Sequence, residues 1–298
     1  MTGKDWREAS REKLCIYSGI LFHNQEFSGG KEETIQYSFS CPEFAELREK
    51  YTLEKIAGKG SDFVRAKRLL HYLAPRLTHS PWYDNHVPCN ALDLLEYSLN
   101  QPEQGINCLN KSKILAECCL ALGIYARRVA IYPYSPYDFD NHVVTEIYDR
   151  KLKKWIMLDL TTDGYFVDEQ KTPLSLLELR DKFANDAFAT FVLSTNRLKD
   201  LKKWKEKYAY YNAYICKNLF YFAVEQENRF GPGENFLYIC PKHCAIQKIE
   251  VANARYRINH MPEEHQNAVE FWKDRLEMLE SLLEPEKTSL SVMQMSPM

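Results

Sequence analysis

The sequence lacks several features that define large classes of protein. It contains no stretch of 18 apolar residues, so it predicts no membrane-spanning helix. The formal net charge is −2 without any long basic block, which argues against a general nucleic-acid binder. The first residues are charged and contain no apolar segment of the kind found in signal peptides. We therefore expect a cytoplasmic protein that binds neither membranes nor nucleic acids.

The cysteines do not form the pattern of a disulfide framework. There are nine of them, an odd number, and two are adjacent (Cys118 and Cys119), so reduced thiols are expected. Cys240, His243 and Cys244 in "CPKHC" are residue types that bind zinc. A zinc site needs ligands in convergent pairs, and no second compact pair stands out, although Cys216 or His260 could approach, so we expect no metal. We expect no cofactor either, because the chemistry predicted below needs none.

What the sequence does contain is sufficient for a large packed core. Apolar residues make up 45% of the chain, with 19 Tyr and 15 Phe, and there is no internal repeat. Ser61, Asn90 and Asn107 are predicted to cap three helices. The stretches predicted to form strands are "CIYSGILF" and "TIQYSF", then "RRVAIYP", "HVVTEIY" and "KWIMLDL", and finally "NLFYFAVE", "NFLYIC" and "IQKIEVANARYRI". The Lys- and Tyr-rich stretch that begins "KDLKKWKEKYAYY" is interpreted as a solvated helix face, with a docking surface for an anionic partner as the alternative.

One cysteine is predicted to be a nucleophile. Cys108 follows Asn107 directly and therefore falls in the first turn of the third helix. A helix N-terminus favours the thiolate, the reactive form of cysteine, because its unpaired N–H groups and dipole attract an anion. Cys118 and Cys119 lie about three turns further along, where we expect them to fill the core.

A nucleophilic cysteine needs a base, and the base needs a group that orients it. The segment "HVVTEIYDRKLKKWIMLD" is predicted to form a β-hairpin with its turn near Arg150–Lys151. A two-residue turn there would place His142 directly opposite Asp159 on one face of the hairpin, and Val144 opposite Met157. A longer loop would make the His142–Asp159 pair diagonal, still within reach.

These motifs resemble the transglutaminase-like superfamily of papain-like cysteine enzymes, of the bacterial type. The resemblance rests on "GINCLNKSKILAECCLALGIYARRVAIYP", "DNHVVTEIYD" and "KWIMLDLTTDGYF". It implies an α+β fold with a papain-like/transglutaminase core, in which the nucleophile helix packs on an antiparallel β-sheet that carries His and Asp. On this basis we divide the chain into a mixed N-terminal segment (1–60), a catalytic core (61–200), a β-rich C-terminal extension with a terminal helix (201–284) and a flexible tail (285–298).

The resemblance implies Cys108 as the nucleophile, His142 as the general base and acid, and Asp159 as its orienting partner. A second oxyanion donor beside the Cys108 backbone N–H is predicted among Gln101, Gln104 and Trp82. The sequence has "LDLTT" where the family commonly has proline after the aspartate.

The predicted chemistry is thiolate attack on an amide or peptide carbonyl of a peptide or protein substrate through a thioester, with water rather than an amine as the acceptor. Cross-linking would need a dry tunnel walled by aromatic residues, for which Trp82 and Trp155 are the candidates. The alternatives are a cysteine peptidase or amidase of defined peptide specificity, and a non-catalytic binding module that retains the fold.

Overall fold

The structure, a computed structural model, describes residues 5–27, 32–194, 201–233, 235–242, 244–262 and 267–281. The predicted tail, 285–298, lies outside these ranges, as does His243. Ten α-helices occur among the described residues, together with a 3-10 turn at Ala74–Arg76. They are α1 (Asp5–Phe22), α2 (Pro42–Lys50), α3 (Leu53–Ala57), α4 (Asp62–Leu73), α5 (Ala91–Asn100), α6 (Cys108–Ala121), α7 (Leu176–Ala184), α8 (Leu201–Asn218), α9 (Ile246–His260) and α10 (Asn267–Ser281).

A five-stranded antiparallel sheet with the order β4-β3-β2-β7-β9 forms the centre of the fold. Two smaller sheets pair β1 with β8 in parallel and β5 with β6 antiparallel. The strands are β1 (Gln36–Tyr37), β2 (Ala126–Tyr132), β3 (His142–Asp149), β4 (Lys154–Leu158), β5 (Gly164–Val167), β6 (Thr190–Leu193), β7 (Tyr221–Glu225), β8 (Glu227–Asn228) and β9 (Phe236–Ile239).

Helix α6 is the buried helix that the sequence predicts. The Asn107 side chain caps it by accepting a hydrogen bond from the backbone N–H of Asn110, and Cys108 is its first residue. The helix packs against β2 and β3. Ser112 fixes it to β3, because its hydroxyl donates to the carbonyl of Val143 at 2.7 Å while its carbonyl accepts from Thr145.

The loop of the β3–β4 hairpin is longer than a two-residue turn. Asp149 pairs with Lys154, so the connection runs from residue 150 to 153, and Met157 pairs with Glu146 instead of Val144. The connection is therefore two residues longer than a two-residue turn, which is the longer-loop alternative given for this hairpin. Because side chains alternate across a strand, a shift of two keeps every side chain on its predicted face and makes the His142–Asp159 pair diagonal.

Two apolar stretches predicted as strands are helical instead. "CIYSGILF" lies within α1, whose Leu21 is buried where the helix packs against α7 and α8. "IQKIEVANARYRI" lies within α9, where Ile246, Val251 and Ala254 are buried. Their spacing follows one face of a helix, and short apolar runs of this kind suit either structure until packing decides.

The C-terminal segment is mainly helical, which corrects the predicted β-rich extension. It supplies α8, α9 and α10, whereas its strands β7 and β9 complete the central sheet beside β2. Helix α8 packs against α1 and thereby covers a second core on the opposite side of the sheet from α6. No helix in the described ranges is long and apolar enough to cross a bilayer.

Candidate active site

His142 and Asp159 meet where the β3–β4 hairpin opens. His142 is the first residue of β3 and Asp159 follows the last residue of β4. The imidazole Nε2 lies 2.9 Å from the Asp159 Oδ2 atom, and both side chains are buried. The diagonal register brings the two side chains together on one face.

The Asp159 carboxylate is held from three directions. Its Oδ1 atom accepts hydrogen bonds from the backbone N–H groups of Thr161 at 2.7 Å and Thr162 at 3.2 Å. Its Oδ2 atom faces His142 and also accepts a hydrogen bond from the Tyr211 hydroxyl. Burial opposes ionisation, but attraction by His142 and these hydrogen bonds hold the pKa of Asp159 well below its usual range.

The Cys108 thiol is within hydrogen-bonding reach of the His142 side chain. Since Nε2 faces Asp159, Nδ1 is the ring nitrogen left for the thiol. Burial opposes the charged imidazolium, but the Asp159 charge and the hydrogen bonds to Asp159 and Cys108 outweigh it and raise the pKa of His142 to about 10. The imidazolium is thus favoured at neutral pH.

Exposure distinguishes Cys108 from the cysteines of the core. Cys108 is half-buried, whereas Cys118 and Cys119 are fully buried on the same helix. Burial raises the pKa of Cys118 and of Cys119 well above the ordinary value. These two thiols fill the core around α6, as the sequence predicts.

In the CPKHC motif Cys240 and Cys244 are hydrogen-bonded to each other, and no cluster of metal-ligating side chains occurs among the described residues.

A short loop supports the start of α6. The Ser80 N–H donates to the Ile106 carbonyl at 3.0 Å, and the Ile106 N–H donates to the Thr78 carbonyl at 3.1 Å. Gly105 turns the chain here with φ +67°, and a Cβ atom would lie 3.0 Å from the Ser80 side chain, so the turn requires glycine. The loop brings His79 near the site, where burial, Lys111 and His142 lower its pKa. The sequence analysis did not single out His79.

The proposed oxyanion side chains lie on the surface. Gln101 follows α5 directly, Gln104 lies in the same loop, and Trp82 is 48% exposed. Their oxyanion role stays a prediction. The backbone N–H of Cys108 belongs to the first residue of a helix, where N–H groups have no acceptor within the helix. Trp155, by contrast, lies at the far end of β4 and packs against Arg127 and Tyr148, so it cannot wall the site.

Two tyrosines of α8 cover the site, and the sequence analysis did not assign them a role. Tyr211 is 5% exposed and contacts Asp159. Tyr214 packs edge-on against the His142 ring at 5.4 Å and donates a hydrogen bond to the Asn141 carbonyl at 3.1 Å. The interpretation of this stretch as a solvated helix face is therefore wrong at Tyr211. The three-residue spacing of the two tyrosines, which puts them on one helix face, was the available signal.

One comparison with known proteins covers the part of the chain that contains the candidate active site. Residues 49–160 match the model of the transglutaminase-like superfamily, a segment that includes Cys108, His142 and Asp159. No curated protein and no solved structure gave a significant match. The match leaves out α8 and the rest of the C-terminal segment. Residues 49–160 of this chain are a transglutaminase-like superfamily domain.

Proposed function

We propose that the protein is a cysteine-dependent hydrolase that cleaves amide or peptide carbonyls through Cys108, His142 and Asp159. The observation that supports it best is the hydrogen bond between His142 Nε2 and Asp159 Oδ2, together with the hydrogen bond between the His142 side chain and the Cys108 thiol. Acyl transfer by a cysteine requires a nucleophile, a base and a carboxylate that orients the base, in this order. The transglutaminase-like domain is consistent with a cysteine enzyme.

The reaction begins with a Cys108 thiolate and a His142 imidazolium. The sulfur attacks the carbonyl carbon, and negative charge develops on the carbonyl oxygen near the N-terminus of α6. His142 then donates its proton to the departing amine as the carbon–nitrogen bond breaks, which leaves a thioester on Cys108. A water molecule attacks the thioester while His142 accepts its proton. The acid is released, the thiolate leaves, and the imidazolium is restored.

Asp159 acts through His142 in this scheme. Its carboxylate fixes the ring with Nδ1 toward the sulfur, and its negative charge stabilises the imidazolium. Because Asp159 is buried and held by the N–H groups of Thr161 and Thr162, it keeps one orientation throughout the cycle. We assign one oxyanion donor to the Cys108 backbone N–H, and leave the second among Gln101, Gln104 and Trp82.

Water is the acceptor we propose, and an amine acceptor is the second candidate. The observation that favours the second is the aromatic cover from α8, where Tyr214 contacts the His142 ring. Aromatic walls that exclude water are what a transferase needs to protect its thioester. A peptidase of defined specificity would use the same three residues, and a non-catalytic module would use none of them.

Two experiments test the proposal. Iodoacetamide is added at pH 6 and the modified thiols are mapped by mass spectrometry, with the exposed Cys15 as the internal control. We expect Cys108 to be alkylated first, whereas faster labelling of Cys15 would argue for the non-catalytic module.

In the second experiment, an amide and peptide library identifies a substrate, and cadaverine at millimolar concentration competes with water. Free acid as the main product supports the hydrolase, and amine incorporation supports the transferase.

A further inference from the structure

The contact between Tyr211 and Asp159 joins the candidate active site to a helix outside the matched domain. Tyr211 lies on α8, and its hydroxyl donates to the Asp159 Oδ2 atom, the same oxygen that faces His142 Nε2. Burial and the Asp159 charge hold the pKa of Tyr211 well above its ordinary value, so the phenol keeps its proton and acts as the donor.

The Tyr211 ring is fixed by its neighbours. It packs against Phe191 with the ring centroids 4.6 Å apart, and stacks on Phe166 at 5.9 Å with an interplanar angle of 12°. This packing holds the phenol oxygen beside Asp159, with the Thr162 side chain as a second hydrogen-bonding partner. Since the Thr161 and Thr162 N–H groups hold the Oδ1 atom, Tyr211 is the described side chain that shares Oδ2 with the imidazole.

We propose that Tyr211 is a positioning residue of the reaction, which acts through Asp159 on the protonation of His142. The inference rests on the proposed function, because it assigns a fourth member to the same site. By donating to Oδ2, the phenol takes up part of the carboxylate charge and so limits how strongly Asp159 holds the imidazolium. It also keeps Oδ2 aligned with Nε2.

This role differs from that of a tyrosine that merely fills the core. If Tyr211 only fills the core, Asp159 serves merely as the partner of its buried hydroxyl. Loss of the Tyr211 hydroxyl would then lower the free energy of unfolding and change nothing else. A positioning Tyr211 changes the pH at which His142 loses its proton. Without the phenol, the negative charge concentrates on Oδ2, His142 becomes more basic, and the imidazolium persists to higher pH.

The test uses the full chain and needs no substrate. The pKa of the His142 imidazole is measured by NMR titration from pH 6 to pH 12 in the wild type, in Tyr211→Phe and in Tyr210→Phe. Tyr210 is the matched control, since it is the neighbouring residue on α8, is 57% exposed and stacks on Tyr214. We expect the His142 pKa in Tyr211→Phe to lie about one unit above that of the wild type. Tyr210→Phe should match the wild type, and an unchanged or lower His142 pKa in Tyr211→Phe overturns the inference.

Asp159→Asn decides whether the effect passes through the carboxylate. In the Asp159→Asn background, Tyr211→Phe should shift the His142 pKa no further, because the charge that it modulates is gone. A shift as large as in the wild-type background overturns the proposal. As a measurement independent of Tyr211→Phe folding, NMR titration of the Tyr211 phenol should give a lower pKa in Asp159→Asn than in the wild type. A Tyr211 pKa that is the same in both proteins also counts against it.

The outcomes separate this inference from the proposed function. If wild-type Cys108 has no reactive form below the ordinary range of thiols, the proposed function fails, and the inference fails with it. If the wild type has that form and the His142 pKa is the same in Tyr211→Phe as in the wild type, the inference fails alone.

Discussion

Helix α6 contributes to two groups of ionisable side chains, and they differ in what their charges contact. At its N-terminus, the Cys108 thiol lies beside the His142–Asp159 pair. Further along, Lys113 and Glu117 meet the Glu225 carboxylate of β7, and with Arg128 of β2 they form what we call the charged cluster (Lys113, Glu117, Arg128, Glu225). Lys113 Nζ lies 3.3 Å from Glu117 and 3.4 Å from Glu225, and Arg128 is 2.7 Å from Glu225.

The charged cluster is closed by the protein itself. Glu117 accepts hydrogen bonds from the Ala91 N–H, at the start of α5, and from the Gly231 N–H. Glu225 accepts from the Gly233 N–H in addition to its ion pairs. The charges thus join α5, α6 and the turn before β9 into one buried unit. The candidate site differs because its thiol is half-buried and open to a reagent. In the charged cluster the buried charges neutralise one another, whereas in the candidate site they prepare a nucleophile.

The largest effect is expected at the nucleophile. Cys108→Ser should reduce amide hydrolysis by about 10⁴–10⁶-fold, because a serine hydroxyl is a much weaker nucleophile in a site built for a thiolate. The steady-state rate on the substrate found by library screening measures it, together with the thermal unfolding temperature. Cys15→Ser, at an exposed thiol, is the control that should retain the wild-type rate. Full activity in Cys108→Ser would remove this cysteine from the mechanism.

Asp159→Asn should reduce hydrolysis by about 10²–10⁴-fold. The amide leaves the ring without the charge that stabilises the imidazolium, and it can hold the wrong tautomer. Because Asp159 is the main cause of the raised His142 pKa of about 10, we also expect the alkaline limit of activity to move to lower pH. The pH dependence of kcat/KM provides the measurement. Asp140→Asn, in the exposed loop before β3, is the matched control, and an equal loss there would point to a general effect of charge.

Lys113→Met breaks the charged cluster rather than the site. We expect the free energy of unfolding to fall by about 3–5 kcal/mol, since two buried carboxylates lose their shared cation. Chemical denaturation measures the loss, and Lys50→Met in the exposed Lys50–Glu96 pair should leave stability unchanged within error. Activity per folded molecule should survive in Lys113→Met. A selective loss of activity without a loss of stability would mean that the two groups on α6 are not separate.

The smallest effect is the pH dependence of the charged cluster. Burial, partly offset by Lys113 and the N–H donors, raises the pKa of Glu117 to about 7, above its ordinary value of 4.5. The folded state therefore binds the proton more tightly, so the contribution of Glu117 to stability falls as the pH rises from about 4.5 to 7, by about 3 kcal/mol at most. Urea unfolding at pH 5, 6, 7 and 8 should show this slope in the wild type and not in Glu117→Gln. The same slope in both proteins would assign it to another group.

The sequence by itself determined the local parts of the site. Asn107 and the apolar stripe behind it specify a capped helix that begins at Cys108, because capping and helical periodicity depend on residues within a few positions of one another. The β3–β4 hairpin is similarly local. The loop is two residues longer than a two-residue turn, and the His142–Asp159 pair stays on one face, since the period of a strand is two.

Only the tertiary structure decided what lies over the site and how the C-terminal segment folds. "IQKIEVANARYRI" carries β-branched residues that suit a strand, and its packing against α10 made it a helix. The contact of Tyr211 with Asp159 spans 52 residues and depends on where α8 packs against α1 and the second core. Local patterns specify which face of an element is apolar, but they do not specify which distant element will cover that face, because that depends on the packing of the whole chain.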